Sequence, residues 1–594
     1  MRWSEVLGSH ELLRRRLRTS TSATPEALLK NRCGSAHMPA WTRTLGTILF
    51  NTPSGDTVST NKLPPIPFED VFASFLFHAR QQLRAKAGSS LSVLSPAAVS
   101  TLDRELLEHL SFVSSLTLGR VFYDFRFACS PLAAFESTWI KQQHSSEIYS
   151  AFIAHLRDGG LIDVFDRYPV LARLLAQSVD LWVRTTASLC RRFAADWPRL
   201  REFFGWTHAS SRGAIIGLKS GLSDRHSGGQ TVAELMIAGG KCIIYKPRSV
   251  RPEIAFNTLL AWLNQRDLPQ QLQTMLVLDR SSYGWMEAAR HCDCEDTSAV
   301  ERFYVRAGML LAVLHILAVT DIHCENLIAS GEQPVVVDLE TLLSELPGRR
   351  SNVLNTGFLP RRLKEPSVDV SALGADESPD SGLRFPLWKN INTDQMTLAE
   401  AAPSELEFHR ARIENRLPSV GDYLPSLRHG FSATYHFILV DRGNLARHPL
   451  VRRFDGLKLR ILLRDSTTYA QILLHLLYPE FLQDGIDRSI EIEWLARPLC
   501  LRSKASKGRV NVYKHERTAI ERLDLPYFNT SLWSSMGHDP SSEEARLFGG
   551  RRDARLMRNR LRQLSITDCQ KQLMLIERSV NARFGRAAGT GHRG

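Results

Sequence analysis

The sequence predicts an α+β fold, and three observations carry that prediction. From Phe68 to about Trp206, apolar residues recur at three- and four-residue spacing, as in Phe72–Leu83 and Leu171–Cys190. That is the period of helices with one buried face. After Gly213 the pattern shifts to two short apolar runs, Thr231–Ala238 and Lys241–Tyr245, joined by Gly239-Gly240. A two-residue glycine link between such runs closes a tight β-hairpin. Val300 to Val319 then reads as one long buried helix that delivers the chain into a polar loop. The order is a small sheet-containing lobe followed by a helical lobe.

Taken in sequence, residues 1–65 read as loosely ordered, rich in Ser, Thr, Gly and Pro and ending in Leu63-Pro64-Pro65-Ile66-Pro67. Residues 66–210 form a helical region without a catalytic motif, and its aromatics Phe122, Tyr123 and Phe125 are expected in the core. Residues 211–290 carry the sheet. Pro252 to Leu263 follows as a helix with proline near its first turn. Leu276–Leu278 and Tyr283–Glu287 read as further strands. Residues 291–594 hold the buried helix and its helical elaborations.

Composition narrows the functional classes. At 594 residues, with 43% hydrophobic and 23% charged, the chain can bury a large core. The longest apolar run, Gly308 to Val319, is interrupted by His315 and too short to span a bilayer. The N-terminus has no apolar segment of the secretory kind. Nine scattered cysteines without a C-x-x-C pair fit reduced thiols and a cytoplasmic location. His291-Cys292-Asp293-Cys294 lacks the spacing of a tetrahedral zinc site and reads as a loop. The net charge of +13 points to anionic partners. Residues 551–594 hold eleven Arg/Lys against three Asp/Glu, which reads as a solvated basic helix and tail or as a surface for an acidic peptide. No RNA-binding signature or zinc-finger spacing supports nucleic acid.

Two segments carry chemistry. Lys246, in Tyr245-Lys246-Pro247-Arg248, ends a strand after the glycine hairpin, where an ammonium can reach phosphates in a cleft. Thr320-Asp321-Ile322-His323-Cys324-Glu325-Asn326 follows the buried helix, and Val335-Val336-Val337-Asp338-Leu339-Glu340 follows a short turn. Phosphoryl transfer needs one carboxylate at the hydroxyl and an Asn with an Asp to hold Mg²⁺ across the phosphates. Asp321, Asn326 and Asp338 supply those types at kinase-loop spacing. Glu340 shares the face of Asp338 if the segment is extended. The protein-kinase H-R-D order, a G-x-G-x-x-G loop and a P-loop are all absent, and D-x-H-x-x-N is closer to the lipid-kinase branch.

At these residues the chain resembles the dehydratase domain of class II lanthipeptide synthetases, the LanM enzymes. The resemblance runs from about Gly213 towards the C-terminal region. It includes D-x-H-x-x-G (Asp224, His226, Gly229), Y-K-P-R, Leu259-Leu260-Ala261-Trp262-Leu263-Asn264 and Tyr283-Gly284-Trp285-x-Glu287. It continues with Thr320 to Ala329, Val337 to Leu342, Trp388 and Asn392-Thr393-Asp394. The resemblance implies a kinase-like, lipid-kinase-like two-lobed core, with 211–290 as N-lobe and 291–594 as C-lobe. It implies ATP-dependent phosphorylation of Ser or Thr in a ribosomal precursor peptide, then elimination of phosphate to dehydroalanine or dehydrobutyrine. ATP and Mg²⁺ are the implied cofactors. Lys246 would hold ATP phosphates, with Asp224 and His226 on the phosphate-side loop. Asp321 and His323 would serve transfer, Asn326 and Asp338 would bind Mg²⁺, and Glu340 would support them. For elimination the family uses an Arg followed six residues later by Thr. Arg460 and Ser466 take those positions here, with Thr467 and Thr468 as alternative hydroxyls. Serine keeps the hydroxyl but not the stiff χ1 of a β-branched side chain.

Full family members continue into a zinc cyclase, whose ligand motifs are not found in this sequence. Neither zinc nor ring closure is therefore expected, and a separate cyclase is an expected partner. A stand-alone dehydratase, a truncated gene and an excised domain all fit. Two other readings stay open: a kinase that stops at phosphorylation, and a catalytically dead peptide-binding remnant.

Overall fold

The computed structural model describes Val6 and residues 38–50, 63–129, 145–206, 213–344, 351–361, 369–374, 385–401, 410–414, 416–497, 507–535 and 553–584. In chain order the longer helices are α1 (Ala40–Phe50), α2 (Ala73–Ala87), α3 (Pro96–Cys129), α4 (Glu147–His155), α5 (Pro169–Phe203), α6 (Arg251–Leu263), α7 (Thr297–Ile316), α8 (Leu424–Arg447), α9 (Ser466–His475), α10 (Gly485–Ile492), α11 (Lys507–Ile520), α12 (Ala554–Gln563) and α13 (Ile566–Phe584). The strands are β1 (Ile215–Lys219), β2 (Ala233–Ile237), β3 (Lys241–Lys246), β4 (Val277–Asp279), β5 (Gly284–Glu287), β6 (Leu327–Ser330), β7 (Gln333–Val336), β8 (Phe385–Lys389) and β9 (Thr397–Ala401). Helices and small antiparallel sheets in one chain make the fold α+β.

The chain divides into two compact units, both discontinuous in sequence. One comprises Met1–Ile243, Pro386–Glu400 and Arg464–Tyr527; the other comprises Ile244–Phe385, Ala401–Leu463 and Phe528–Gly594. Most of the 1–65 segment lies outside the described residues, although α1 falls within it and buries Ile48.

The first unit is mainly helical. In α5, Pro169 occupies the first turn, where its missing N–H costs nothing. The helix then buries a long stripe including Leu171, Leu175, Val179 and Phe193. Phe122 is buried and Phe125 packs against the same core, whereas Tyr123 is 50% exposed. The Asn392-Thr393-Asp394 run is a clasp within this unit. Asn392 accepts from the Phe68 N–H and the Tyr149 hydroxyl, both at 2.9 Å, and donates to the Ile66 carbonyl at 3.0 Å. Asp394 accepts from the Tyr149 N–H at 2.7 Å, and its carbonyl receives Arg126 at 2.8 Å. β1 and β2 pair antiparallel, with a register shift between Ile215 and Gly217. Gly239 (φ +93°) and Gly240 (φ +74°) turn the chain into β3, in a backbone region that L side chains rarely enter. β3 carries the chain out of this unit.

The second unit is built on α7 and α8. Asp296 caps α7, its carboxylate accepting from the Ala299 N–H at 2.6 Å. Almost every α7 side chain from Ala299 to Ile316 is buried, the mark of a helix enclosed on all sides. The helix ends at Ile316, three residues before its predicted end, and the chain turns through Leu317 and Ala318 (φ +48°) towards the polar loop. β4 pairs with β5, and β6 with β7 through the Gly331 turn, both antiparallel. The basic C-terminal helices α12 and α13 are not simply solvated. They bury Met557, Leu561, Cys569, Ile576 and Val580 in the core of this unit. Arg560 is itself buried and donates to the carbonyl of His315 at 2.6 Å, capping the end of α7.

Candidate functional site

The second unit gathers six oppositely charged side chains around the start of α6 and the segment after β7. Lys246 closes β3 and is 3% exposed. Its ammonium donates to Glu253 Oε1 at 2.9 Å and to the Val337 carbonyl at 2.6 Å. Glu253, in the first turn of α6, is fully buried. Arg248 lies 2.9 Å from Glu253 Oε1, donates to Asp338 Oδ1 at 2.7 Å, and reaches Glu340 Oε2 at 3.2 Å. Arg460 donates to Glu340 Oε1 at 2.6 Å, and its N–H donates to the Glu340 carbonyl at 2.7 Å.

Three cations and three carboxylates thus neutralise one another, with Lys246, Glu253 and Glu340 buried and Arg248, Asp338 and Arg460 partly exposed. Removing one partner from such a cluster leaves a buried uncompensated charge, at a cost of about 3–5 kcal/mol. Burial alone would raise the carboxyl pKa of both Glu253 and Asp338, but Arg248 and Lys246 hold both below the usual range. Glu340 and Asp338 do face the same way, since the Arg248 guanidinium touches both. Asp338 lies two residues beyond the end of β7. Arg460 is engaged in this cluster and is not a solvated cation.

The polar loop adds a fourth carboxylate. Asp321 sits at φ +66°, a left-handed conformation that Asp tolerates better than most residues. Such strain persists only where the surroundings enforce it. Asp321 is exposed to solvent as a residue. Desolvation on the protein-facing side of its carboxyl raises the pKa, the charges of His323 and Arg460 oppose the rise, and Asp338 and Glu340 add to it. Asn326 locks the loop by donating Nδ2 to the Asp321 carbonyl at 2.9 Å. Its own carbonyl accepts from the Val337 N–H at 3.0 Å, which brings residue 326 beside Asp338. His323 Nδ1 accepts from the Glu325 N–H at 3.3 Å.

Asp338 and Asn326 carry oxygen atoms of the kind that a hard cation takes. Arg248 and the Glu340 N–H engage Asp338 through Oδ1, and Asn326 uses its amide nitrogen for the loop. A hard cation there would therefore meet Asp338 Oδ2 and the Asn326 amide oxygen. With Asp321 the cluster has one carboxylate more than it has cations.

Other expected site residues lie in the first unit. His226 directs Nδ1 at the Leu525 carbonyl at 2.8 Å and packs its ring 5.2 Å from Tyr527. Asp224 lies in the same loop. Asp524 holds that loop by accepting from the Gly228 N–H at 2.6 Å and the Gly229 N–H at 2.9 Å. Ser466 is exposed and opens α9 next to its flanking residue Asp465. Arg464 is bonded to buried Glu516 at 2.7 Å, an acid that also accepts from Tyr469 at 2.6 Å. In the second unit, His291 Nε2 lies 2.9 Å from the Arg410 carbonyl. Among the described residues, no three His, Cys, Asp or Glu side chains form a metal-binding group, and no helix is long and apolar enough to cross a membrane.

Sequence reading missed Glu253 and Asp524. Glu253 left a signal: it lies on the apolar stripe of α6, three and seven residues before buried Phe256 and Leu260. An acid on a buried stripe needs a cation. Asp524 left none, since its partners lie about 300 residues away.

An α+β protein with a strand-end lysine paired to a helix glutamate, and a carboxylate loop beside the pair, is the class that fold and site define. The chain belongs to the family described as "Domain of unknown function (DUF4135)", which it matches over residues 168–531. It is similar to "Lacticin 481/lactococcin biosynthesis protein LcnDR2" of Lactococcus lactis subsp. lactis, with 24% identity over 455 residues. The match covers 71% of this chain and 47% of that protein, so the chain spans about half the length of this relative.

Proposed function

We propose that the chain is a lanthipeptide dehydratase with a kinase-like core, using Mg-ATP to phosphorylate Ser or Thr of a ribosomal precursor peptide and then eliminating phosphate. The observation that carries the reading is the Lys246–Glu253 pair beside the Asp321–Asn326 loop and Asp338. A strand lysine held by a helix glutamate, next to a metal-holding Asp and Asn, is the apparatus of phosphoryl transfer. The naming of the Lactococcus relative as a lacticin 481/lactococcin biosynthesis protein supports a role in making a peptide product.

In this mechanism Lys246, held upright by Glu253, pairs with nucleotide phosphates. Mg²⁺ on Asn326 and Asp338 would neutralise charge building on the phosphates. Asp321 orients the peptide hydroxyl and accepts its proton, a role that a raised carboxyl pKa suits. His323 stands in the same loop to balance that charge. Arg460, fixed through Glu340, meets the phosphate as it departs, where a planar guanidinium offers two parallel donors. Ser466 is assigned the hydroxyl role that goes with Arg460 only from its place six residues further along the sequence. Lys246, Asp321 and Asn326 would serve a kinase that stops at phosphorylation equally well; Arg460 with a following hydroxyl favours elimination.

The test is mass spectrometry of a candidate precursor peptide after incubation with the protein and Mg-ATP. Loss of water at Ser or Thr supports the reading. Phosphate gain without water loss identifies the kinase that stops early. An unchanged peptide, with no ADP formed and no ATP bound, identifies a remnant.

A further inference from the structure

A cavity lined by polar side chains and open to solvent lies within the first unit and takes no part in the chemistry proposed above. It encloses about 250 Å³ and is lined by Arg173, Gln177, Arg517, Thr518, Glu521 and Arg522. Arg173 and Gln177 stand one turn apart on α5, while the other four come from the end of α11 and the turn after it. Two guanidinium groups share the one lining carboxylate, Glu521, with Arg173 at 3.3 Å and Arg517 at 3.5 Å. Arg517 also reaches Glu493 at 3.5 Å. Arg522 is exposed at the mouth. Arg488 on α10 is 1% exposed and donates Nη1 to the Leu476 carbonyl, but its Nε and Nη2 have no hydrogen-bond partner. Burial and the charge of Arg173 lower its pKa to about 10, with Glu521 opposing the shift, so these groups sense one another. Three guanidinium groups, of Arg173, Arg517 and Arg522, thus line the cavity with one carboxylate, Glu521. An excess of positive charge at a solvent-facing cavity recruits an oxyanion.

We propose that this cavity is a docking site for carboxylate side chains of an acidic peptide segment, separate from the residues that would carry out catalysis. The open mouth and the single carboxylate among the lining arginines suit an extended acidic segment that adds a second carboxylate. Naming the ligand as a peptide rests on the peptide-substrate reading above.

The probe is a fluorescein-labelled oligoglutamate peptide, followed by anisotropy with the full chain at physiological salt. Arg522→Glu alters the mouth of the cavity. Arg562→Glu makes the same charge change on an exposed face of α12 and serves as control. The expected result is at least about a tenfold loss of affinity in Arg522→Glu and less than about twofold in Arg562→Glu. Equal losses in both variants, or no binding by the unmodified protein, would overturn the proposal. Displacement of the peptide by inorganic phosphate at equal concentration would also overturn it, identifying free phosphate as the ligand. Dehydration of a precursor peptide by a protein that fails this binding test would remove the docking site and leave the catalytic reading standing.

Discussion

Glu253 has no contact with solvent, yet two cations share its Oε1 oxygen. Removing its charge leaves Lys246 and Arg248 as buried neighbours in mutual repulsion. Glu253→Gln should therefore slow phosphoryl transfer by about a hundredfold, roughly 3 kcal/mol in the barrier. ADP formation with a precursor peptide is the measurement, and an unchanged rate would separate this pair from the chemistry. Arg460 makes a sharper test because the reading gives it work only in elimination. Arg460→Ala should leave phosphorylation running and accumulate phosphopeptide, seen as added phosphate with little loss of water. Normal dehydration by that variant would remove it from the mechanism. At this scale much was legible: Lys246, Asp338, Glu340 and Arg460 do share one cluster. Glu253, which joins Lys246 to Arg248, was overlooked although it sat on an apolar helix stripe. Asp224, His226 and Ser466 belong to the other unit.

At the scale of elements, the second unit depends on how closely α7 and α8 approach. A Cβ on Gly308 would fall 2.0 Å from the Leu427 carbonyl oxygen, and one on Gly430 would fall 1.9 Å from the Val305 carbonyl oxygen. Each helix has a glycine where it meets the backbone of the other. In an isolated helix, Gly→Ala would stabilise by about 1 kcal/mol. Here the added carbon must push backbone aside, and overpacking costs about 1–3 kcal/mol, more where nothing yields. Gly308→Ala should thus lower the thermal midpoint of the protein, and a raised midpoint would show that the helices separate freely. The elements themselves were readable. The Gly239-Gly240 hairpin, the Pro252 helix start and the β4–β5 pair follow from turn chemistry and apolar runs that act over a few residues. The clasp formed by Asn392 and Asp394 was not readable, because its partners Ile66, Phe68, Arg126 and Tyr149 are distant in sequence.

At the scale of the whole chain, segments distant in sequence complete each unit, and the C-terminal helices illustrate the consequence. Eleven basic residues in the last stretch suggest a solvated tail, but α13 returns to the core of the second unit. Asp568 accepts from the Tyr435 hydroxyl on α8 at 2.7 Å and from Gln572 at 3.0 Å, and lies 3.6 Å from His315 on α7. Gln572 in turn accepts from the Val353 N–H at 3.1 Å. Burial alone would raise the Asp568 carboxyl pKa, but the nearby His315 ring and the hydrogen bonds from Tyr435 and Gln572 bring it well below the usual range. A carboxyl pKa lower in the folded than in the unfolded chain stabilises the fold above the unfolded value of about 3.9. That contribution is lost as pH falls towards the folded value. Asp568→Asn should therefore cost about 1–3 kcal/mol at neutral pH. The gap between its thermal midpoint and that of the unmodified protein should narrow as pH drops below about 4. A gap that stays constant from neutral pH into that acid range would show that the ionised carboxylate does not fasten α13 to α7 and α8, leaving the apolar contacts of Cys569, Ile576 and Val580 to hold the C-terminal helix in place.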